Sequence, residues 1–233
     1  LPISRFAEHN RETFDAVLDM CEKLAAEKFA PFNRLADTEE PWFDGEKVHL
    51  PAASHAAAKA YAESGMLAAA QDYELGGMQL PCVVEMAANS FFSKAGIGVG
   101  GAGMLTSGNA NLLMAHGTPL QQEVFAKNEF AGRFFGTMCL SEPQAGSSLS
   151  DIVTRAVPDG EGAESDPLGP RFRLRGNKMW ISNGEHELAE NIVHLVLARV
   201  VGAPEGVKGI SLFVVPKFMV NADGSLGARN DVH

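Results

Sequence analysis

Near residue 132 the hydrophobic pattern of this chain changes period, and no fold built from one kind of element accommodates both halves. From Ile3 to Ala131 apolar residues recur at helical spacing, as in Phe14, Val17, Leu18, Cys21, Leu24 and Ala25, and alanine is dense. After Arg133 the period shortens to two. Arg171-Phe172-Arg173-Leu174-Arg175 alternates polar and apolar side chains, and Ile192 to Leu197 and Ile210 to Val215 are rich in branched residues, as half-buried or buried strands require. The expected fold class is α+β: an all-helical bundle domain over residues 1–132, then an antiparallel, barrel-like β domain over residues 133–233.

Turn and cap residues divide the helical half. Pro31, the run Pro41-Trp42-Phe43-Asp44-Gly45, Pro51 as a first-turn proline, Gly76-Gly77 and Pro81 mark boundaries, and Thr118-Pro119 reads as a cap followed by a helix start. In the β half, Pro158 to Pro170 is rich in Gly, Pro, Asp and Glu and reads as an exposed loop. No internal repeat is evident.

Charge and composition exclude several classes. A net charge of −10 over 233 residues argues against nucleic acid, whose binding draws on clustered Lys and Arg. No apolar run approaches the roughly 20 residues of a membrane span; Ile192 to Val201 is interrupted by His194 and Arg199. Cys21, Cys82 and Cys139 lie far apart without CxxC spacing, so neither a metal site nor a disulfide framework is expected, and a reducing cytoplasmic location fits.

Gly96-Ile97-Gly98-Val99-Gly100-Gly101 matches the spacing G-x-G-x-x-G, but a dinucleotide fold needs a strand before it. Met86, Ala87, Ser90, Phe91 and Lys94 precede it in a helical pattern. The glycines are read instead as a junction where helices pack closely or leave space for a ligand tail.

Two other stretches do not look like ordinary core. Met138-Cys139-Leu140-Ser141-Glu142-Pro143-Gln144-Ala145-Gly146-Ser147-Ser148 and Gly176-Asn177-Lys178-Met179-Trp180-Ile181-Ser182-Asn183-Gly184 each run from strand-like residues into a small, polar, glycine-containing turn. Pro143 fixes φ, and Gly146 is expected to reach a conformation that other residues avoid. Ser141 and Ser147, with nearby backbone amides, can form an anion nest and hydrogen-bond the polar edge of a ring system. Trp180 alone would read as core, but Ser182, Asn183 and Gly184 just beyond it suggest a flat face beside a ligand. Glu142 lies inside the first stretch and reads as structural. His186, between Glu185 and Glu187, reads as a surface loop residue.

Taken together these residues resemble the acyl-CoA dehydrogenase family, whose flavin signatures take the form [Thr/Ser]-Glu-Pro-x-Ala-Gly-Ser and, later, Gly-x-Lys-x-[Trp/Phe]-Ile-[Thr/Ser]-Asn-Gly. Further matches are Tyr73-Glu74-Leu75-Gly76-Gly77, Gly117-Thr118-Pro119-Leu120-Gln121-Gln122 and Lys208-Gly209-Ile210-Ser211-Leu212-Phe213-Val214-Val215-Pro216. Gly146-Ser147-Ser148 replaces the usual Gly-Ser-Asp, and the extended loops resemble the longer branch that includes 3-methylmercaptopropionyl-CoA dehydrogenase.

The resemblance implies a helical domain, a small β domain and a further C-terminal helical bundle, with FAD between the last two. It implies FAD-binding roles for Met138, Leu140, Ser141, Gly146, Ser147, Trp180 and Ser182, with Ser147 also reaching substrate. It further implies α,β-dehydrogenation of an acyl-CoA thioester in fatty acid metabolism, electron transfer to an electron-transfer flavoprotein, and a homodimer or homotetramer. The family's catalytic base lies in the C-terminal domain, beyond His233, so no base is named, and the 233-residue fragment is expected to be inactive alone. Alternatives are an acyl-CoA oxidase on the same scaffold, or a non-catalytic or DNA-associated member.

Overall fold

A computed structural model describes residues 3–232. Helices come first: α1 (Arg11–Leu24), α2 (Ala30–Thr38), α3 (Ala52–Glu63), α4 (Cys82–His116), α5 (Pro119–Gln121) and α6 (Lys127–Phe130), with a small hairpin of β1 (Trp42–Phe43) and β2 (Val48–His49). Strands β3 (Phe134–Cys139), β4 (Arg155–Pro158), β5 (Phe172–Arg175), β6 (Asn191–Val200), β7 (Ile210–Pro216), β8 (Phe218–Val220) and β9 (Leu226–Arg229) follow. The α+β class expected from the change of period is the one observed. Two compact units interleave along the chain. One comprises residues up to Ser107 with Lys127–Phe135 and Glu185–Glu190; the other comprises Gly108–Ala126, Gly136–Gly184 and the residues from Asn191 onward.

In the first unit, α1 opens on a capping box. The Asn10 side chain accepts from the Thr13 N–H and the Thr13 hydroxyl accepts from the Asn10 N–H, both at 3.0 Å, which satisfies donors that a helix start leaves orphaned. The apolar stripe of α1 continues through a π turn at Ala25–Phe29 and packs Cys21 and Phe29 against Tyr61, Met66, Leu67 and Phe92. Tyr61 meets Phe92 edge-on at 4.9 Å, and its buried hydroxyl donates to Asn89 Oδ1 at 2.8 Å. Gly103 lets α4 approach: a Cβ there would stand 2.4 Å from the Tyr61 ring. The G-x-G-x-x-G run lies inside α4, which breaks at Gly96, so these glycines follow helix and not strand.

His186 departs from expectation. It is only 2% exposed and meets the Phe135 ring edge-on at 5.7 Å, with Nδ1 accepting from the Leu188 N–H. Leu188 and Ala189 pack on the first unit's core and draw the segment inward. Its flanking glutamates, which suggested a surface loop, did not reveal that anchor.

In the second unit a five-stranded sheet runs β3-β6-β4-β5, with β7 also paired to β6. It is mixed, not wholly antiparallel: β4 runs parallel to β6 and antiparallel to β5, and β6 and β7 are antiparallel. The first six residues of β6 are buried without alternation, as a strand covered on both faces should be. Asn109, near the end of α4, donates to the Thr137 and Val193 carbonyls at 3.2 and 2.7 Å. His194 Nδ1 lies 2.7 Å from the Thr137 hydroxyl; burial above all, and the Lys217 charge, push its pKa down to about 4. The Thr118 capping box on α5 forms as expected, and Gln121 Nε2 ties the 158–170 loop by a 2.6 Å bond to the Leu168 carbonyl.

No helix among the described residues is long and apolar enough to cross a membrane, and no His, Cys, Asp or Glu cluster among them could hold a metal ion.

Candidate cofactor site

The two unusual sequence stretches meet in the second unit. β3 ends at Cys139 and the chain turns at Glu142–Ala145, where reciprocal backbone hydrogen bonds of 2.8 and 3.0 Å close a tight loop. The second stretch leaves β5 and lies beside this turn: the Met179 N–H donates to the Ser141 carbonyl at 3.0 Å. Trp180 and Ser182 follow that bond by one and three residues, and Gly146 and Ser147 follow directly on the closed turn.

A buried charge pair reinforces the junction. Lys178 Nζ donates to the Leu140 carbonyl at 3.0 Å and to Glu142 Oε1 at 2.9 Å. Glu142 is 1% exposed and also accepts from the Val153 N–H at 2.7 Å, the Thr154 N–H at 3.0 Å, the Thr154 hydroxyl and Gln144 Nε2. Burial alone would raise its pKa. The Thr154 hydroxyl, the Val153 N–H, Lys178 and the Thr154 N–H outweigh that and hold the carboxyl down to about 2. Glu142 is thus ionised and filled with donors, which suits a brace and disqualifies it as a proton acceptor at neutral pH. Gly176 completes the fit, since a Cβ there would stand 2.2 Å from the Thr154 hydroxyl.

What this brace presents outward is polar and unsatisfied. Ser147 and Ser182 are exposed, Met138, Leu140 and Ser141 half-buried, and none of the three serine hydroxyls has a hydrogen-bond partner among the described residues. Trp180 is 76% exposed and adopts φ +60°, and Asn183 follows at φ +54°. A non-glycine residue in the left-handed region costs on the order of 1 kcal/mol or more and persists where the surroundings impose it, characteristically at ligand sites. Three free hydroxyls beside a large aromatic plane suit a planar ligand with a polar edge and a phosphate-bearing tail. Of the seven residues expected at the site, Ser141 is tied to the second stretch by the Met179 bond, the others are its neighbours along the two stretches, and Gly146 does not take a positive φ. The sequence reading left Lys178 and Thr154 unassigned, although Lys178 lies in a signature stretch; Thr154 had no signal at all.

Two family models match the chain. Residues 11–132 match the model of the acyl-CoA dehydrogenase N-terminal domain, and residues 137–229 that of the acyl-CoA dehydrogenase middle domain. The chain belongs to the acyl-CoA dehydrogenase family. It is 36% identical over 228 residues to 3-methylmercaptopropionyl-CoA dehydrogenase of Ruegeria pomeroyi, covering 98% of this chain and 37% of that protein. It is 33% identical over 224 residues to a butyryl-CoA dehydrogenase of Syntrophomonas wolfei, covering 95% and 35%. An acyl-CoA dehydrogenase complexed with FAD from Bacillus anthracis shares the fold with a TM-score of 0.69 at 24% identity, over 91% of this chain and 32% of that one. The chain therefore spans little more than a third of the length of these curated relatives.

Proposed function

We propose that this chain forms the flavin-holding part of an FAD-dependent acyl-CoA dehydrogenase. The observation that carries the reading is the braced rim: the Met179–Ser141 bond and the Lys178–Glu142 pair hold two loops together, and their free hydroxyls face outward beside Trp180. Bound FAD would supply the hydride acceptor for α,β-dehydrogenation of an acyl thioester. The chain's own residues would bind and orient it. Leu140 and Ser141 would meet the polar edge of the ring through backbone and hydroxyl, with Met138 beneath. Trp180 and Ser182 would flank the ring, and Gly146 and Ser147 would reach the diphosphate or the pantetheine arm of the substrate. Donors fixed before the reaction stabilise charge that develops on the ring without reorganising.

Glu142 is not the base, because its proton-accepting oxygens are already occupied. Electrons would pass onward to an electron-transfer flavoprotein, as in the family, and a homodimer or homotetramer would complete the assembly.

Titration of the protein with FAD, followed by quenching of flavin fluorescence, tests the reading. Saturable quenching is expected, with a dissociation constant raised about tenfold or more in Trp180→Ala, the equivalent of about 1.4 kcal/mol of lost contact. Unchanged affinity in that variant, with the thermal unfolding profile intact, would sink the assignment.

A further inference from the structure

Three arginines stand side by side across the sheet of the second unit. Arg155 on β4 lies directly opposite Arg175 on antiparallel β5 and directly opposite Arg199 on parallel β6. Paired residues project from the same face of a sheet, and like charges so placed repel. The chain has 29 acidic residues to 19 basic ones, yet neither Arg155 nor Arg175 has an ion pair or side-chain hydrogen bond among the described residues. Nearby arginines show the ordinary solution: Arg173 pairs with Asp159, and Arg171 with Asp166 at 3.6 Å.

Arg199 is held differently. Its Nε donates to the Ile152 carbonyl at 3.1 Å, Nη2 to the Ser150 carbonyl at 2.6 Å, and Nη1 to the Gly206 and Pro204 carbonyls at 2.7 and 3.3 Å. Carbonyl oxygens fix the guanidinium without cancelling its charge. Beside it opens a groove of about 360 Å³, lined by Ile152, Val153, Arg155, Arg199 and the turn at residues 200–203. The two arginines are the only charged groups in that lining, and Val153 and Val201 expose apolar surface next to them.

We propose that this groove binds an organic diphosphate. Arg155 grips the phosphate oxygens through its planar donor fork, Arg199 adds its charge and its one remaining Nη2 donor, Arg175 adds positive field from the next strand, and Val153 and Val201 cover the organic body. Immobilising Arg199 beforehand lowers the ordering cost of binding. The volume lies in the range of small-molecule sites and is short for an extended acidic peptide. The inference rests on strand register and on the carbonyl cage, and stands apart from the flavin reading. A coenzyme A thioester and FAD both contain the required diphosphate, so the ligand class is common to them.

Calorimetric titration of the protein at low salt with inorganic pyrophosphate, coenzyme A and FAD tests the site. Saturable pyrophosphate binding is expected, weakened about tenfold or more in Arg155→Gln. Loss of coenzyme A affinity in that variant assigns the site to the thioester's nucleotide end; loss of FAD affinity assigns it to the cofactor. The free Arg155→Gln protein should melt no lower than the parent, since one repelling charge is gone, so lost binding is not lost folding. Absence of pyrophosphate binding to the parent, or equal affinity in the variant, overturns the proposal, as does capture of an acidic protein without any small anion binding. A failed flavin titration leaves the pyrophosphate result standing, and the two readings therefore fail separately.

Discussion

Two glutamates, one in each compact unit, are buried almost completely and have opposite fates. Glu142, 1% exposed, is surrounded by the Thr154, Val153, Lys178 and Gln144 donors, and its carboxyl is held down to about 2. Glu129, 0% exposed, has no hydrogen-bond partner for either carboxyl oxygen among the described residues, and burial drives its pKa well above the ordinary value. Removal from water is common to both. What differs is the supply of donors: they favour the charged form of Glu142, whereas nothing offsets the burial that disfavours the charged form of Glu129. The brace sits where two loops are held in register.

The comparison breaks most visibly at Lys178. Lys178→Met leaves Glu142 buried without its countercharge and frees the Leu140 carbonyl, and the expected loss is about 3–5 kcal/mol of unfolding free energy at pH 7. Urea unfolding measures it. A loss under about 1 kcal/mol would mean that the neutral donors suffice to hold the carboxylate. Pairing Lys178→Met with Glu142→Gln should recover part of the deficit, because the uncompensated charge is then gone.

His194 separates the acid behaviour of the two carboxylates. Its folded pKa, about 4, lies below the ordinary histidine value of 6.5, so its contribution is fully present above 6.5 and is lost as pH falls toward 4. Glu142 contributes only above the ordinary 4.5, and loses its share as pH falls toward about 2. Between pH 6.5 and 4.5 protonation of His194 costs about 1.4 kcal/mol per pH unit, while protonation of Glu129, whose folded pKa is raised across the lower part of that window, returns stability, so the two oppose each other. Thermal melts across that window should be shallow in the parent, rise as pH falls in His194→Gln, and fall as pH falls in Glu129→Gln.

Glu129 titrates with the reverse sign. A raised folded pKa leaves stability complete below the ordinary 4.5 and erodes it as pH climbs toward the folded value. Glu129→Gln should be close to neutral at pH 4 and stabilising at pH 8, by about 1–3 kcal/mol, the scale of a buried unpaired polar group. Equal effects at both pH values would show that an unseen donor already serves this carboxyl.

How much of this was legible in the sequence depends on the range of the interaction. The Thr118 capping box, the strands at β5, β6 and β7, and the turn chemistry of Glu142 to Ser147 are set by residues within a few positions of one another, and each formed where the pattern placed it. Parallel pairing of β4 with β6 joins residues more than forty apart, and alternation specifies which face of a strand is buried without naming its neighbour. The arginine row exists only through that register, so no local pattern announced it. His186 was misplaced for the same reason, since its burial follows from Phe135 and from the packing of Leu188 and Ala189. At the site, the two signatures gave the rim residues, while Thr154, which grips Glu142 from outside both, was invisible.

The smallest expected effect tests why the rim is built as it is. Trp180 holds φ +60° with three-quarters of its surface exposed, so burial of its own ring gives little reason for the conformation. The neighbouring Met179 N–H to Ser141 bond and the Lys178 pair impose it. Glycine reaches that φ without steric cost but gains chain entropy when unfolded, and the two effects oppose each other at about 1 kcal/mol each. Trp180→Gly should therefore leave the melting temperature within a degree or two of the parent, or raise it, while flavin binding falls. A variant that melts much lower would show that the indole packs for stability; one that melts unchanged and binds flavin poorly would show that the brace stores its strain for the ligand.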